Sequence, residues 1–289
     1  MRATANHDLA AHNQYRFGRL TRSLLLYLVA IAGAFIMVVP LLYMLSTAFM
    51  PNQYVLQTPP VLIPTHPTFD NFVAAWSANN FGGAFLNSVI VATTATVITV
   101  LLSSMLAFAF GRYRFPGRTL LFYLMLATMT VPGTVLVIPQ FVMASRLQLT
   151  NSLWGLIIVY SAGMALSVYL LKGFFEEMPQ DLFDAAAIDG CGVFQSFFRI
   201  ALPLARPALA AVAIFAFSAN WDEFTWAITS INDDSLYTLP VAIEQFYSNH
   251  ATNWGVVFAA TTIAVIPMIL VFLLLQRYFV SGIAGAMKG

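Results

Sequence analysis

Residues 184–207 read DAAAIDGCGVFQSFFRIALPLARP. Acids, a run of alanines and a glycine come first, then a second apolar-faced segment closed by proline. The stretch lies between two long apolar runs, which makes it a polar interruption in a hydrophobic chain. Starting at Met178-Pro179-Gln180-Asp181, proline suits a first helical turn and acids there complement the helix dipole. Leu182, Ala185, Ala186 and Asp189 then share a face at helical spacing. Gly190 stands where a helix would end, because glycine takes the left-handed conformation at little cost. Phe194, Phe197, Phe198, Ala201 and Leu202 repeat the helical spacing. Pro203 is expected to close that run and Pro207 to open the next. The reading is helix–turn–helix at a membrane surface. Either the first helix docks a protein partner through its small side chains, or the pair is an amphipathic connector in the headgroup layer.

The surroundings require a membrane. Of 289 residues, 60% are hydrophobic and only 9% charged, against about 25% charged in an ordinary soluble domain. Six apolar runs are long enough to cross a bilayer at about 20 residues each: 23–49, 84–110, 119–144, 153–175, 208–230 and 255–280. The first is too long for a signal-peptide core of about 7–15 residues and reads as an uncleaved span. Twelve of the thirteen Lys and Arg residues fall at the termini and in alternate loops, and only Arg146 falls on the other side. Positive residues mark the cytoplasmic face. Both termini and the segment 176–206 are therefore expected in the cytoplasm, and loops 50–83, 145–152 and 231–254 outside. The expected organisation is an N-terminal cytoplasmic segment 1–22 and one transmembrane domain, 23–289. The fold class is all-α, polytopic, with six transmembrane helices.

Several chemistries are excluded or unsupported. A net charge of +1 suggests no nucleic-acid partner. The single Cys191 cannot form an internal disulfide. Lys172 and Lys288 are the only lysines, and neither fits a phosphate-binding Gly-x-x-x-x-Gly-Lys loop. No His/Cys/carboxylate cluster has metal-ligand spacing, and His7, His12, His66 and His250 lie outside the spans. Asp222 and Glu223 are acids within a span, where such residues usually face the bundle interior. Asn220 and Glu223 are three apart and expected on one face, with Trp221, Phe224 and Trp226 around them. Carboxylates, amides and aromatic faces suit a polyhydroxyl ligand; the same group also suits bonding between helices or gating the outer mouth. Pro40, Pro132, Pro139 and Pro267 lie inside spans and should kink them.

Asp184-Ala185-Ala186, Gly190 and Ile200-Ala201-Leu202-Pro203 resemble the EAA loop of binding-protein-dependent ABC importers, with Asp184 where the pattern has Glu. Phe85-Leu86-Asn87-Ser88 resembles the start of that family's transmembrane module, about 84–280 here. Trp221-Asp222-Glu223-Phe224 and the tail from Gln276-Arg277-Tyr278-Phe279-Val280 to Lys288-Gly289 are similar to carbohydrate-importer permeases, the latter to the maltose-type second permease subunit. The resemblance implies a type I-like importer fold in the cell membrane. It makes 179–190 a coupling helix between spans four and five, with Asp184, Ala185, Ala186, Ile188, Asp189 and Gly190 facing an ATP-binding subunit. It implies a second permease subunit, an ATP-binding subunit dimer, an extracytoplasmic solute-binding protein touching loop 231–254, and a carbohydrate substrate. Asn220, Trp221, Asp222, Glu223 and Trp226 become candidates for the substrate path. ATP and magnesium would be used by the partner ATPase, with no cofactor on this chain. Importers of polyamine, phosphate or peptide are alternatives. A secondary transporter fits poorly, since inverted repeats and midplane charges in several spans are missing.

Overall fold

A computed structural model describes the backbone of residues 2–286 except 56, 58, 60 and 249–252, and side chains within 23–247 and 253–278. His250, the side chains of Arg2 to Arg22 and the tail Lys288-Gly289 lie outside the described residues. The order is α1 (Arg2–Ala48), α2 (Asn52–Val55), α3 (Asp70–Ser77), α4 (Phe81–Arg112), α5 (Arg118–Ala127), α6 (Gly133–Arg146), α7 (Leu153–Ala162), α8 (Ala165–Glu177), α9 (Gln180–Ile188) and α10 (Val193–Ser196). It continues with α11 (Leu202–Leu204), α12 (Arg206–Trp221), α13 (Thr225–Ser230), α14 (Leu239–Ser248) and α15 (Trp254–Ala286). No strand occurs among the described residues.

Among the described residues, only α4, α15 and the Ser23–Ala48 part of α1 are single helices long and apolar enough to cross a membrane. Three more spans exist only as bent pairs, which brings the possible crossings to six. The first pair, 118–130 with 133–146, bends by 104°. A kink is expected there from Pro132; the sharper turn arises because Pro132 is extended and donates no N–H. Thr128 and Thr130 hydroxyls satisfy the carbonyls of Met125 and Ala127 at 2.6 and 2.8 Å. The second pair, α7 with α8, bends by 46°, so the expected straight span 153–175 is broken. Gly163 leaves the helix there without any proline. The helices α1, α6 and α15 run on through Pro40, Pro139 and Pro267.

The third bend, 80°, lies where the 193–204 segment meets α12. The helix does not stop at Pro203 as expected. It widens into a π-helical turn at Phe197–Ala201, continues to Leu204 and bends at Ala205. Proline crowds the carbonyl four residues back, and the wider turn falls over that carbonyl. The expected span 208–230 is also broken at its far end, since α12 stops at Trp221 and α13 begins at Thr225.

The core lies around α4. One cluster joins Phe81, Ala84 and Ala92 to Phe217, Trp221, Leu239 and Ala260. Another joins Phe108 to Phe175, Phe197 and Val212. Small residues along α4 (Ala92, Ala95, Ser103, Ser104, Ala107) are buried, as close helix contact in a membrane requires. In contrast, α1 exposes apolar side chains between Leu24 and Leu45, Met37 at 78% exposure among them, which suits lipid or another chain rather than water. The segments 50–83 and 231–254 hold more structure than prolines alone suggest. Buried Asn71 donates to the Ala48 and Met50 carbonyls at 2.9 and 2.7 Å. The helix α14 leans on α4 and α15.

Gly155 sits where the turn after α6 folds back on α7, and a Cβ there would collide with the Leu149 carbonyl. Gly155→Ala is expected to cost about 2 kcal/mol or more and to lower the yield of folded chain in membranes. Gly33→Ala, with nothing within 4 Å, is the control expected to match the unsubstituted yield.

Candidate functional site

Two places in this fold carry chemistry. The first is the polar interruption. The helix α9 starts at Gln180, directly after Pro179, and ends in a Schellman motif. Cys191 N–H bonds the Ala186 carbonyl at 2.8 Å, and Gly190 N–H bonds the Ala187 carbonyl at 3.1 Å. Gly190 has φ +78°, and a Cβ there would meet nothing within 4 Å. The glycine is therefore required by backbone conformation alone. Gly190→Ala should cost about 1–2 kcal/mol and loosen the α9 turn modestly. Gly190→Pro forbids the φ and deletes the N–H bonded to Ala187, and should unravel the turn. Limited proteolysis of 180–191 in isolated membranes checks both, with cleavage expected to rise in the order unsubstituted, Gly190→Ala, Gly190→Pro.

The expected shared face of α9 is corrected in one respect. Ala186 is buried, while Leu182, Ala185 and Asp189 are exposed. Ala186 therefore seats the helix on its own chain. Ile188 is 87% exposed, with Val193 and Phe194 also outward; a patch of this kind marks an interaction surface. Asp184 is not free either. It accepts from Gln180 Nε2 at 2.8 Å.

Arg112, at the end of α4, stands in the sequence only as one of the cations that mark a span end. Its Nη2 donates to Gln180 Oε1 at 2.6 Å and its Nη1 to the Met178 carbonyl at 3.0 Å. The guanidinium also lies 4.2 Å from the Phe183 ring centroid. The two residues it bonds are 66 and 68 positions away, and only the fold brings them together. Nearby, Glu176 pairs with Arg118 at 3.0 Å and Lys172 at 2.7 Å, exposed contacts of small energetic weight.

The second place is the break between α12 and α13. Glu223 lies outside both helices, so the i, i+3 argument for Asn220 and Glu223 does not hold. They meet nonetheless. A cavity of 440 Å³ is lined by Gln140, Tyr160, Asn220, Glu223 and Trp226, with Gly133 and Gly163. Trp221 and Asp222 face a different cavity of 560 Å³, with Phe224, Glu244, Tyr247 and Thr261. The sequence cluster is thus divided between two sides of the break. Glu223 accepts from Trp226 N at 2.9 Å, Ala227 N at 3.2 Å and the Tyr160 hydroxyl at 2.8 Å. It caps α13 and ties it to α7. Asn220 donates to Thr96 Oγ1 at 3.2 Å. Trp221 is buried against Phe217 and donates to the Ala264 carbonyl at 3.0 Å. Trp226 is buried too, and its Nε1 has no partner. Asp222 is exposed.

At the same end of the molecule, Asn87 and Ser88 hold the segment after α13. Asn87 donates to the Ser235 and Tyr237 carbonyls at 2.9 and 3.0 Å. Ser88 Oγ accepts Leu239 N–H at 2.7 Å. Asn151 Oδ1 accepts Asn232 and Asp233 N–H, each at 3.0 Å. Ser235 donates twice to Asp233 and holds its carboxyl below the usual range. No group of three metal-ligating side chains occurs among the described residues.

The family model of binding-protein-dependent transport system inner membrane components matches residues 99–285. The chain belongs to that family. Among relatives of this permease, the diacetylchitobiose uptake system permease protein NgcG of Streptomyces coelicolor is 34% identical, over 95% of this chain and 90% of its own length. The galactooligosaccharides transport system permease protein GanQ of Bacillus subtilis is 33% identical, over 94% and 97%. The arabinooligosaccharides transport system permease protein AraQ of Halalkalibacterium halodurans is 32% identical, over 89% and 93%. A chain of a bacterial ABC transporter involved in the import of the acidic polysaccharide alginate superposes with a TM-score of 0.77. It covers 91% of the permease and 97% of its own length at 22% identity, a likeness of fold. The permease is thus a multi-pass inner-membrane component of a transport system.

Proposed function

We propose that this permease is one of two related subunits that form the translocation path of an ATP-driven importer for a sugar or oligosaccharide. One observation carries the reading. Three helix breaks line the 440 Å³ cavity: Gly133 and Thr134 lie after the 104° bend, Gly163 at the α7–α8 bend, and Glu223 and Thr225 at the α12–α13 break. Irregular backbone at membrane depth is tolerated where it lines a cavity, and broken helices mark substrate sites in transporters. The volume falls within the range of small-molecule sites, about 300–1,000 Å³. Gln140, Tyr160 and Asn220 offer the amides and hydroxyl that a polyhydroxyl ligand needs. Glu223 orients Tyr160 and α13 in this scheme, and Trp221 and Asp222 serve the outer mouth.

ATP hydrolysis belongs to a separate ATP-binding subunit dimer, with magnesium, and this chain holds no cofactor. The helix α9, with Ile188 and the exposed Asp184, Ala185 and Asp189, docks on that subunit, and Gly190 sets its end. Both termini and α9 are cytoplasmic. The segment 231–254 faces an extracytoplasmic solute-binding protein. The relatives' substrates support carbohydrate over polyamine, phosphate or peptide.

The test is uptake by the assembled importer in liposomes. Labelled diacetylchitobiose, arabinooligosaccharide, galactooligosaccharide, putrescine, phosphate and dipeptide are offered in turn. The expected result is ATP-dependent uptake of a carbohydrate, with Asn220→Leu or Gln140→Leu raising its KM about tenfold or more. Uptake of only a non-carbohydrate would contradict the substrate class.

A further inference from the structure

We propose that α4 is a strut that fixes the 231–239 segment at one end to α9 at the other, with Asn87 and Arg112 as the positioning residues. The proposal rests on the reading of α9 as the ATPase-docking helix. Three observations converge on it. Arg112 grips α9 through the Met178 carbonyl, Gln180 and the Phe183 ring. A guanidinium fork that bonds two acceptors while stacked on a ring fixes orientation as well as distance. At the far end, Asn87 and Ser88 bond the backbone of Ser235, Tyr237 and Leu239. These bonds hold main chain and so position the whole segment. Between them α4 carries no proline, whereas α1 and α15 contain one each and the other spans are broken. Asn87 and Arg112 lie 25 positions apart, roughly 38 Å at 1.5 Å per residue. An unbroken helix of that length bends little, so a displacement of α9 reaches the outer segment as a rigid-body movement. The broken spans around the cavity have hinges and would absorb it.

The test is hydrogen–deuterium exchange on the purified assembly in nanodiscs, with and without magnesium AMP-PNP. In the unsubstituted assembly, ATPase subunits should protect 180–188, and the nucleotide should change exchange at 231–239 by about fivefold or more. Arg112→Ala or Asn87→Ala should remove the response at 231–239 while protection of 180–188 by the ATPase subunits persists. The double variant should add nothing further, as expected of residues acting through one element. Arg112→Lys, which keeps the charge but loses the fork, should give a partial loss if the alanine variant misfolds. A response at 231–239 that survives Arg112→Ala, or no response in the unsubstituted assembly, overturns the strut alone. Equal exchange at 180–188 with and without ATPase subunits overturns the docking reading, and the strut with it.

Discussion

Ile188→Asp is expected to strip the ATPase subunits from the importer and reduce uptake to background, with the chain still inserted in the membrane. Ile188 is 87% exposed on the permease alone. Burying an isoleucine against a partner is worth about 1.5–3 kcal/mol. Burying an unpaired carboxylate there instead costs at least as much again. A swing of about 4 kcal/mol lowers affinity roughly a thousandfold. Ala186→Arg should also abolish uptake, but for a different reason: Ala186 is buried, so an arginine lifts α9 off its own chain. Asp181→Ala, on an exposed acid of the same helix, is the near-neutral control. Co-purification in detergent measures all three. Retention of a full complement of ATPase subunits by Ile188→Asp would show that α9 docks elsewhere.

The second large effect is expected at Glu223. Glu223→Ala removes the acceptor for two backbone N–H groups and the Tyr160 hydroxyl. The Tyr160 hydroxyl left unsatisfied costs about 1–3 kcal/mol, and loss of the α13 cap about 1 kcal/mol. A total of about 2–4 kcal/mol should appear as a marked fall in the melting temperature of the purified assembly. Tyr160→Phe removes one of the three donors and should cost about 1 kcal/mol. Asp222→Ala, with its exposed carboxylate, should stay within about 0.5 kcal/mol. A Glu223→Ala melt equal to that of Asp222→Ala would sink the capping role.

That contrast between neighbouring acids shows where the sequence stopped being informative. Long apolar runs gave all six candidate spans, because length and composition are local properties. The α9 turn was equally legible: a left-handed Gly190 after an alanine-rich helix is specified within ten residues. The breaks were less so. Pro132 announces a kink, yet Gly163 carries no such signal. The 222–224 break depends on Glu223 folding back to cap α13. An acid two residues before a short helix can fold back on the N–H groups of its first turn, as Glu223 does on Trp226, but the apolar run around it read as continuous. Asp222 and Glu223 then looked like one cluster, whereas the loss of helical geometry sends them into different cavities. Arg112 was invisible for another reason. Its partners lie 66 and 68 positions downstream, and a cation at a span end has an adequate local explanation as a marker of the cytoplasmic face. Asn87 and Ser88 stood in a motif, but nothing nearby in sequence gave their bonding partners, about 150 residues on.

The most direct test of the account is purification of the tagged chain from its native membranes in mild detergent, with mass spectrometry of the proteins that accompany it. The account predicts a second permease-like chain and an ATP-binding subunit, with uptake by the reconstituted assembly strictly dependent on ATP. Recovery of this chain alone, active in liposomes without ATP, would contradict it.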